Sequence, residues 1–245
     1  MRIFIHSWRQ VMGNLSIAMQ ISWPVLAVLL VGAFLPQDEF VPNIEAGTSA
    51  AGFGATVFFI AFAALFMYIT VIIAVAIAWH RFVLLGISPG QGLVRNAPIW
   101  GYFWRSIVIG LIAALPVAIV QSVVLSAVGA AAGMLSVIIV LVFSVVAITL
   151  AVRLSLGLPA LAIGKSMTLG ESWGRTAPVW GDILIAMLCV IAIQSVSLVL
   201  RQIGFPAGVP LQIIGALLDW VITLLSLSVL TTLYGHLVEG RALNA

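Results

Sequence analysis

The chain has 245 residues, 63% of them hydrophobic and 7% charged, with a formal net charge of +3. A soluble domain carries roughly 25% charged residues, so this composition excludes a water-covered globule and predicts an integral membrane protein. The ten Lys and Arg are scattered singly between apolar stretches, which excludes a nucleic-acid-binding basic run and fits a membrane orientation signal.

Residues 2–12, "RIFIHSWRQVM", set Ile3, Ile5, Trp8 and Val11 against Arg2, His6, Arg9 and Gln10. That pattern predicts an amphipathic helix in the headgroup plane. Six apolar stretches then reach the roughly 20 residues that a helix needs to cross a bilayer. They are 15–35, 52–79, 106–128, 133–152, 181–200 and 210–233. The first follows a basic start, but its apolar run is long and "AFLPQ" lacks a small-residue cleavage site, so it reads as a retained span rather than a signal peptide. The predicted class is all-α: one membrane domain, 1–245, with six transmembrane helices.

The connections alternate. Residues 36–50 carry Asp38, Glu39 and Glu45 and no basic residue; 129–132, "GAAA", read as a tight turn; 201–209 hold only Arg201. The other nine basic residues fall on the opposite side: Arg2, Arg9, Arg81, Arg95, Arg105, Arg153, Lys165, Arg175 and Arg241. The positive-inside rule then predicts cytoplasmic termini.

"RNAPIWG" at 95–101 returns as "RTAPVWG" at 175–181, and "GIS" at 86–88 resembles "GKS" at 164–166. The repeated phrase reads as a device for crossing into the membrane. Asn96 and Thr176 are candidate N-caps, and Pro98 and Pro178 suit a first helical turn. Trp100 and Trp180 suit the headgroup–acyl boundary, while Arg95 and Arg175 suit the anionic headgroup layer. Trp8 and Trp173, each following Ser, are the corresponding anchors of the flanking segments, and 166–176 mixes apolar and charged residues as 2–12 does. These matches predict three hairpin repeats, 1–86, 87–164 and 165–245, each led by an interfacial segment.

Residues 153–180 read "RLSLGLPALAIGKSMTLGESWGRTAPVW". An Arg closes a span; Pro, a Gly/Ser turn, "SW", Thr and a Trp opening the next span follow. This resembles the YciC-like bacterial inner-membrane proteins and the membrane domain fused to some glycerophosphodiester phosphodiesterases, at Arg153, Pro159, Ser172, Trp173, Thr176 and Trp180. The resemblance implies a bacterial inner-membrane location and brings no established activity. The phosphodiesterase catalytic domain has no counterpart in a chain with so little polar sequence.

Asp219, in "GALLDWVITLL", lies inside the sixth span. A carboxylate at that depth costs about 2.5–3.5 kcal/mol on insertion scales, so it should face the bundle interior or a cavity. Gln121 and Gln194 plausibly share its level, each in "QSV". A polar layer of Asp219, Gln194, Gln121 and Ser195 is therefore expected where the third, fifth and sixth spans meet. It is either a protonatable or cation-binding group on a path or an interhelical hydrogen-bond clamp. His6, His80 and His236 fall near the basic side without metal-ligand spacing, and His80 beside Arg81 is expected to meet lipid phosphate. Cys189 lies alone in an apolar run and reads as packing.

No nucleophile motif, phosphate loop or pair of nearby carboxylates within the membrane spans is present. The expected role is thus non-enzymatic, structural or accessory. The expected partners are the lipid bilayer, anionic phospholipid headgroups and another membrane protein or a second copy, with no catalytic residue, metal or cofactor. The alternative is a small transporter or channel-like protein using the layer around Asp219.

Overall fold

A computed structural model describes residues 1–34, 50–92, 94–129, 133–207 and 209–243, with the side chains of 50–58 and 201–207 outside the description. The described chain forms α1 (Arg2–Gly13), α2 (Leu15–Phe34), α3 (Ala50–Leu85), α4 (Ile99–Val128), α5 (Met134–Leu154), α6 (Gly157–Ala162), α7 (Leu169–Thr176), α8 (Trp180–Ala207) and α9 (Val209–Leu237). Among the described residues six helices are long and apolar enough to cross a membrane, the α-helical architecture of a multi-pass membrane protein. The expected spans all fall on these helices. The acidic connection and the centre of the "GAAA" turn lie outside the described residues.

Four spans run well past their expected ends. α3 continues to Leu85, α4 begins at Ile99, α8 reaches Ala207 and α9 reaches Leu237. Sequence hydropathy marks where the apolar run stops, whereas a helix stops where its last carbonyls find other partners. At one end of the bundle arginines provide them. Arg241 donates to the carbonyls of Val83 and Leu84 at 3.1 and 2.7 Å, closing α3. Arg175 donates to Leu237 of α9 at 3.1 Å. Arg81 donates through Nε to Ala162 of α6 at 2.7 Å and through Nη1 to the Arg95 carbonyl at 3.0 Å. A guanidinium at a helix C-terminus also meets the negative pole of the helix dipole. These bonds gather the C-terminal ends of α3, α6 and α9 and the approach to α4 into one layer.

α9 is the axis of the bundle. Half of its most apolar stretch is buried, against 6% for α5. α8, α2, α1 and α3 all pack on it. Its buried residues include Ala216, Trp220, Leu224, Leu225, Val229 and Leu233. α3, α4, α5, α8 and α9 follow one another in contact around a loop that closes between α3 and α9, and α6 packs against α3, α4 and α9. α6 ends where Gly164 takes φ +80° and the Lys165 amide reaches back to the Ala160 carbonyl at 2.8 Å. That closure requires the left-handed region, which Gly enters freely.

Two expected N-caps are corrected. Asn96 has φ +53° and lies in a turn ahead of α4, whose cap is Pro98. Thr176 ends α7, and Pro178 falls in a single 3₁₀ turn, Ala177–Val179, that joins α7 to α8. The actual side-chain cap is at Thr168, which accepts from the Glu171 amide at 3.2 Å while Glu171 accepts from the Thr168 amide at 2.7 Å. This reciprocal box starts α7. The stretch before α4 forms turns instead of a helix, so the two copies of the repeated phrase follow different local structures. Even the shared glycine differs: a Cβ at Gly101 would press on Leu161 at 3.3 Å, while Gly181 faces open space.

Candidate functional site

The bundle holds its polar side chains in three clusters, and the sequence foresaw parts of two. The first explains the spacing in 153–180. α5 ends at Leu154 and α6 begins at Gly157, leaving backbone groups unpaired at a buried break. Ser172 of α7 mends it, donating to the Arg153 carbonyl at 2.7 Å and accepting from the Leu156 amide at 3.1 Å. Thr176, one turn on, donates within α7 to the Ser172 carbonyl at 2.9 Å and accepts from Arg153 Nε at 3.3 Å. Arg153 also donates to the Trp173 carbonyl at 3.3 Å, and its guanidinium carbon stands 3.5 Å from the centre of the Trp173 ring. Arginine, Ser172, Trp173 and Thr176 are therefore one knot, in which a cation–π contact covers a spliced backbone. Arg153 was expected as an interfacial anchor; the structure places it as the tie between α5 and α7.

The tryptophan anchors lie at the surface. Trp100 and Trp180 are 62% and 56% exposed, with Trp8 and Trp173 near 40%. Trp79 and Trp220 are buried instead, and Trp220 donates to Ser22 of α2 at 2.7 Å. Arg95 is exposed, and Arg175 is exposed while bound to α9.

The second cluster surrounds Asp219, ten residues or about 15 Å along α9 from Val209. Its carboxylate accepts from Gln194 Nε2 at 3.1 Å and from the Ser197 hydroxyl at 2.5 Å, both on α8. Gln194 is thus where it was expected. Ser195 is not: its hydroxyl returns to Ile191 of its own helix at 2.9 Å. On an α-helix, position 197 shares the face of 194, and 195 is turned about 100° away. Gln121 lies half-buried on α4, which packs on α3, α5 and α6. The layer therefore joins the fifth and sixth spans, instead of the third, fifth and sixth.

The third cluster was missed. His80, expected at lipid phosphate, is fully buried. Its Nδ1 is 2.7 Å from the Thr231 hydroxyl and its Nε2 is 3.1 Å from the Tyr102 hydroxyl. Thr231 spends its only proton on the Leu227 carbonyl at 2.7 Å, so Nδ1 must donate to it. Tyr102 then donates to the Nε2 lone pair, which assigns a neutral imidazole joining α3, α4 and α9. On the same side of α9, Ser7 of α1 donates to Thr232 at 3.1 Å, and Ser228 donates to Gln10 at 2.5 Å. The signal was present as hydroxyls at 228, 231 and 232, spaced three and four apart within an apolar helix. Hydropathy averaging hides such a stripe because Ser and Thr are nearly neutral on it.

Beside this cluster a cavity of about 220 Å³ is lined by His6, Gln10, Thr231, Thr232, His236 and Arg241 among others. Among the described residues no group of three His, Cys, Asp or Glu side chains is placed to hold a metal ion. What the geometry provides chemically is helix-to-helix cohesion at two levels, with one carboxylate at membrane depth.

Thr231→Val would leave the buried Nδ1–H of His80 without its acceptor, at a cost of about 1–3 kcal/mol. The expected result is a lowered unfolding midpoint in detergent. Ser226→Ala, which removes only a bond to Ile222 of the same helix, should leave the midpoint nearly unchanged. No family model, no curated protein and no solved structure matches the chain, so the residues themselves carry the functional reading.

Proposed function

We propose that this chain is a non-enzymatic integral protein of the bacterial inner membrane with a structural or accessory role, binding a membrane partner or organising lipid. One observation carries the reading: α4 and α5 pair with each other and leave an almost wholly apolar outer surface. Leu111, Leu115, Ile119, Val123, Leu135, Val137 and Val142 are each at least half exposed, and among the described spans α4 and α5 are the least buried, 17% and 6% of their most apolar stretches. A pair of spans held at the edge in this way suits lateral association, where small residues and close packing supply the affinity. The resemblance at Arg153, Ser172, Trp173 and Thr176 supports the inner-membrane setting. The arginine-rich end faces the cytoplasm, with both termini, as the positive-inside rule requires. The three-repeat plan belongs to the same proposal, supported by the two matched phrases and by hairpins α2–α3, α4–α5 and α8–α9.

Two experiments test this. Purification in mild detergent should bring down a stoichiometric membrane companion, and Leu115→Trp together with Ile119→Trp should release it without unfolding the bundle. A solitary protein would count against association. In a Cys189→Ala background, Gln91→Cys and Met134→Cys should react with an impermeant maleimide from opposite sides of the membrane. Reaction from the same side would overturn the topology.

A second reading, transport, is favoured by a specific feature: Asp219 is only half-buried and Gln194 is exposed, so the carboxylate is not sealed inside protein. Asp219→Asn keeps the shape of the group and removes its charge. If the chain moves protons or cations, reconstituted vesicles should lose flux by at least roughly tenfold with this variant, since a membrane-embedded carboxylate would be the titrating group. Unchanged flux in a folded variant removes Asp219 from any such path.

A further inference from the structure

Arg105 differs from the four arginines of its end that bond backbone carbonyls. Arg81, Arg153, Arg175 and Arg241 spend their guanidinium protons on backbone carbonyls. Arg105 lies six residues into α4, about 9 Å along it from Ile99. Its guanidinium rests on Gly157, the first residue of α6, so closely that a Cβ there would collide with Nη2, Cζ and Nε. Its Nε is shielded from solvent and has no hydrogen-bond partner among the described residues. Glu171 acts on it only through space, because that carboxylate is turned into the cap of α7, bound by the amide and hydroxyl of Thr168 at 2.7 and 3.0 Å. The side chain as a whole is half-buried, so part of the fork reaches the bundle surface.

The surroundings are those of a lipid headgroup. Trp104, next to it on α4, is 60% exposed, and Trp100 one turn earlier is 62% exposed. Arg153, one turn ahead of Gly157, carries the Trp173 ring. Exposed indoles mark the depth at which headgroups meet acyl chains. The outward nitrogens of a planar guanidinium at that depth match a phosphodiester, which they can bind through two parallel N–H bonds. We infer that Arg105, seated on Gly157 and next to the exposed Trp104 on α4, binds the phosphodiester of an anionic glycerophospholipid. The glycine is what allows it: any side chain at 157 would push the guanidinium off its seat. This rests on the membrane reading above and deepens its lipid-organising part.

The test uses the full chain in detergent, with native mass spectrometry after adding equal amounts of dioleoyl phosphatidylglycerol and dioleoyl phosphatidylcholine. The wild type should retain one phosphatidylglycerol with roughly tenfold preference, the equivalent of one charge-assisted bond. Arg105→Gln should abolish the preference. Gly157→Ala should weaken it several-fold although no charge is removed, and Lys165→Gln, at an exposed site of the same end where the ammonium already meets Glu239 at 3.4 Å, should leave it intact. If Arg105→Gln does not fold, Arg105→Lys keeps the charge, loses the fork and should lose most of the preference. Equal retention by the Arg105 variants and the wild type overturns the site. Displacement of the adduct by millimolar inorganic phosphate also overturns it, because the ligand would then be a free anion and not a lipid. A missing adduct alongside a captured companion sinks only this site, whereas a missing companion alongside a retained lipid sinks only the association reading.

Discussion

A backbone carbonyl or amide at membrane depth has no water to turn to, and the arrangement of this bundle follows from where those groups find partners. The break between α5 and α6 is the clearest case. Two helices meet there at a buried corner, and a single hydroxyl, Ser172, takes the Leu156 amide and gives its proton to the Arg153 carbonyl. Because Ser172 belongs to α7, mending the corner also fixes where α7 lies, and α7 in turn leads through one 3₁₀ turn into α8. The Thr168–Glu171 cap, the Arg153–Trp173 stack and the bonds of Thr176 all support that one placement.

The same constraint explains how a chain with ten basic residues uses them. In sequence the arginines read as a sidedness signal. In the fold they also close helices: Arg241 on α3, Arg175 on α9, Arg81 on α6. Each long side chain spans the gap between one helix end and its neighbour, so the guanidinium bonds lock the layer. Arg105 takes no part in this, because its guanidinium is seated on Gly157 and makes no carbonyl bond among the described residues.

Cohesion is unevenly distributed. α9 carries a stripe of hydroxyls that reaches α1 through Ser7 and Gln10 and α3 through His80, while Asp219 reaches α8 through Gln194 and Ser197. A hydrogen bond between membrane helices is worth about 0.6–2 kcal/mol, so several of them on one helix make it the organiser of its neighbours. The α4–α5 pair receives little of this. Its serines at 122, 126 and 144 return their protons to their own helices, and its outward surface is left to lipid or to another protein.

The residues alone determined the class and the six crossings, since hydropathy over some twenty residues is a sum that neighbours cannot alter. They also marked Asp219 and Gln194, because a charge or an amide inside an apolar run is conspicuous wherever it points, and they placed the exposed Trp100, Trp173 and Trp180. Tertiary packing decided the rest. Ser197 replaced Ser195 because the face of α8 toward α9 is a property of two helices. His80 went to the interior because Thr231 and Tyr102, 151 and 22 residues away in sequence, supply its two bonds. Thr176 became part of a knot and not a cap because its partner, Arg153, arrives from another helix. Local composition shows that a group is polar; which element satisfies it depends on distances between segments that composition does not contain.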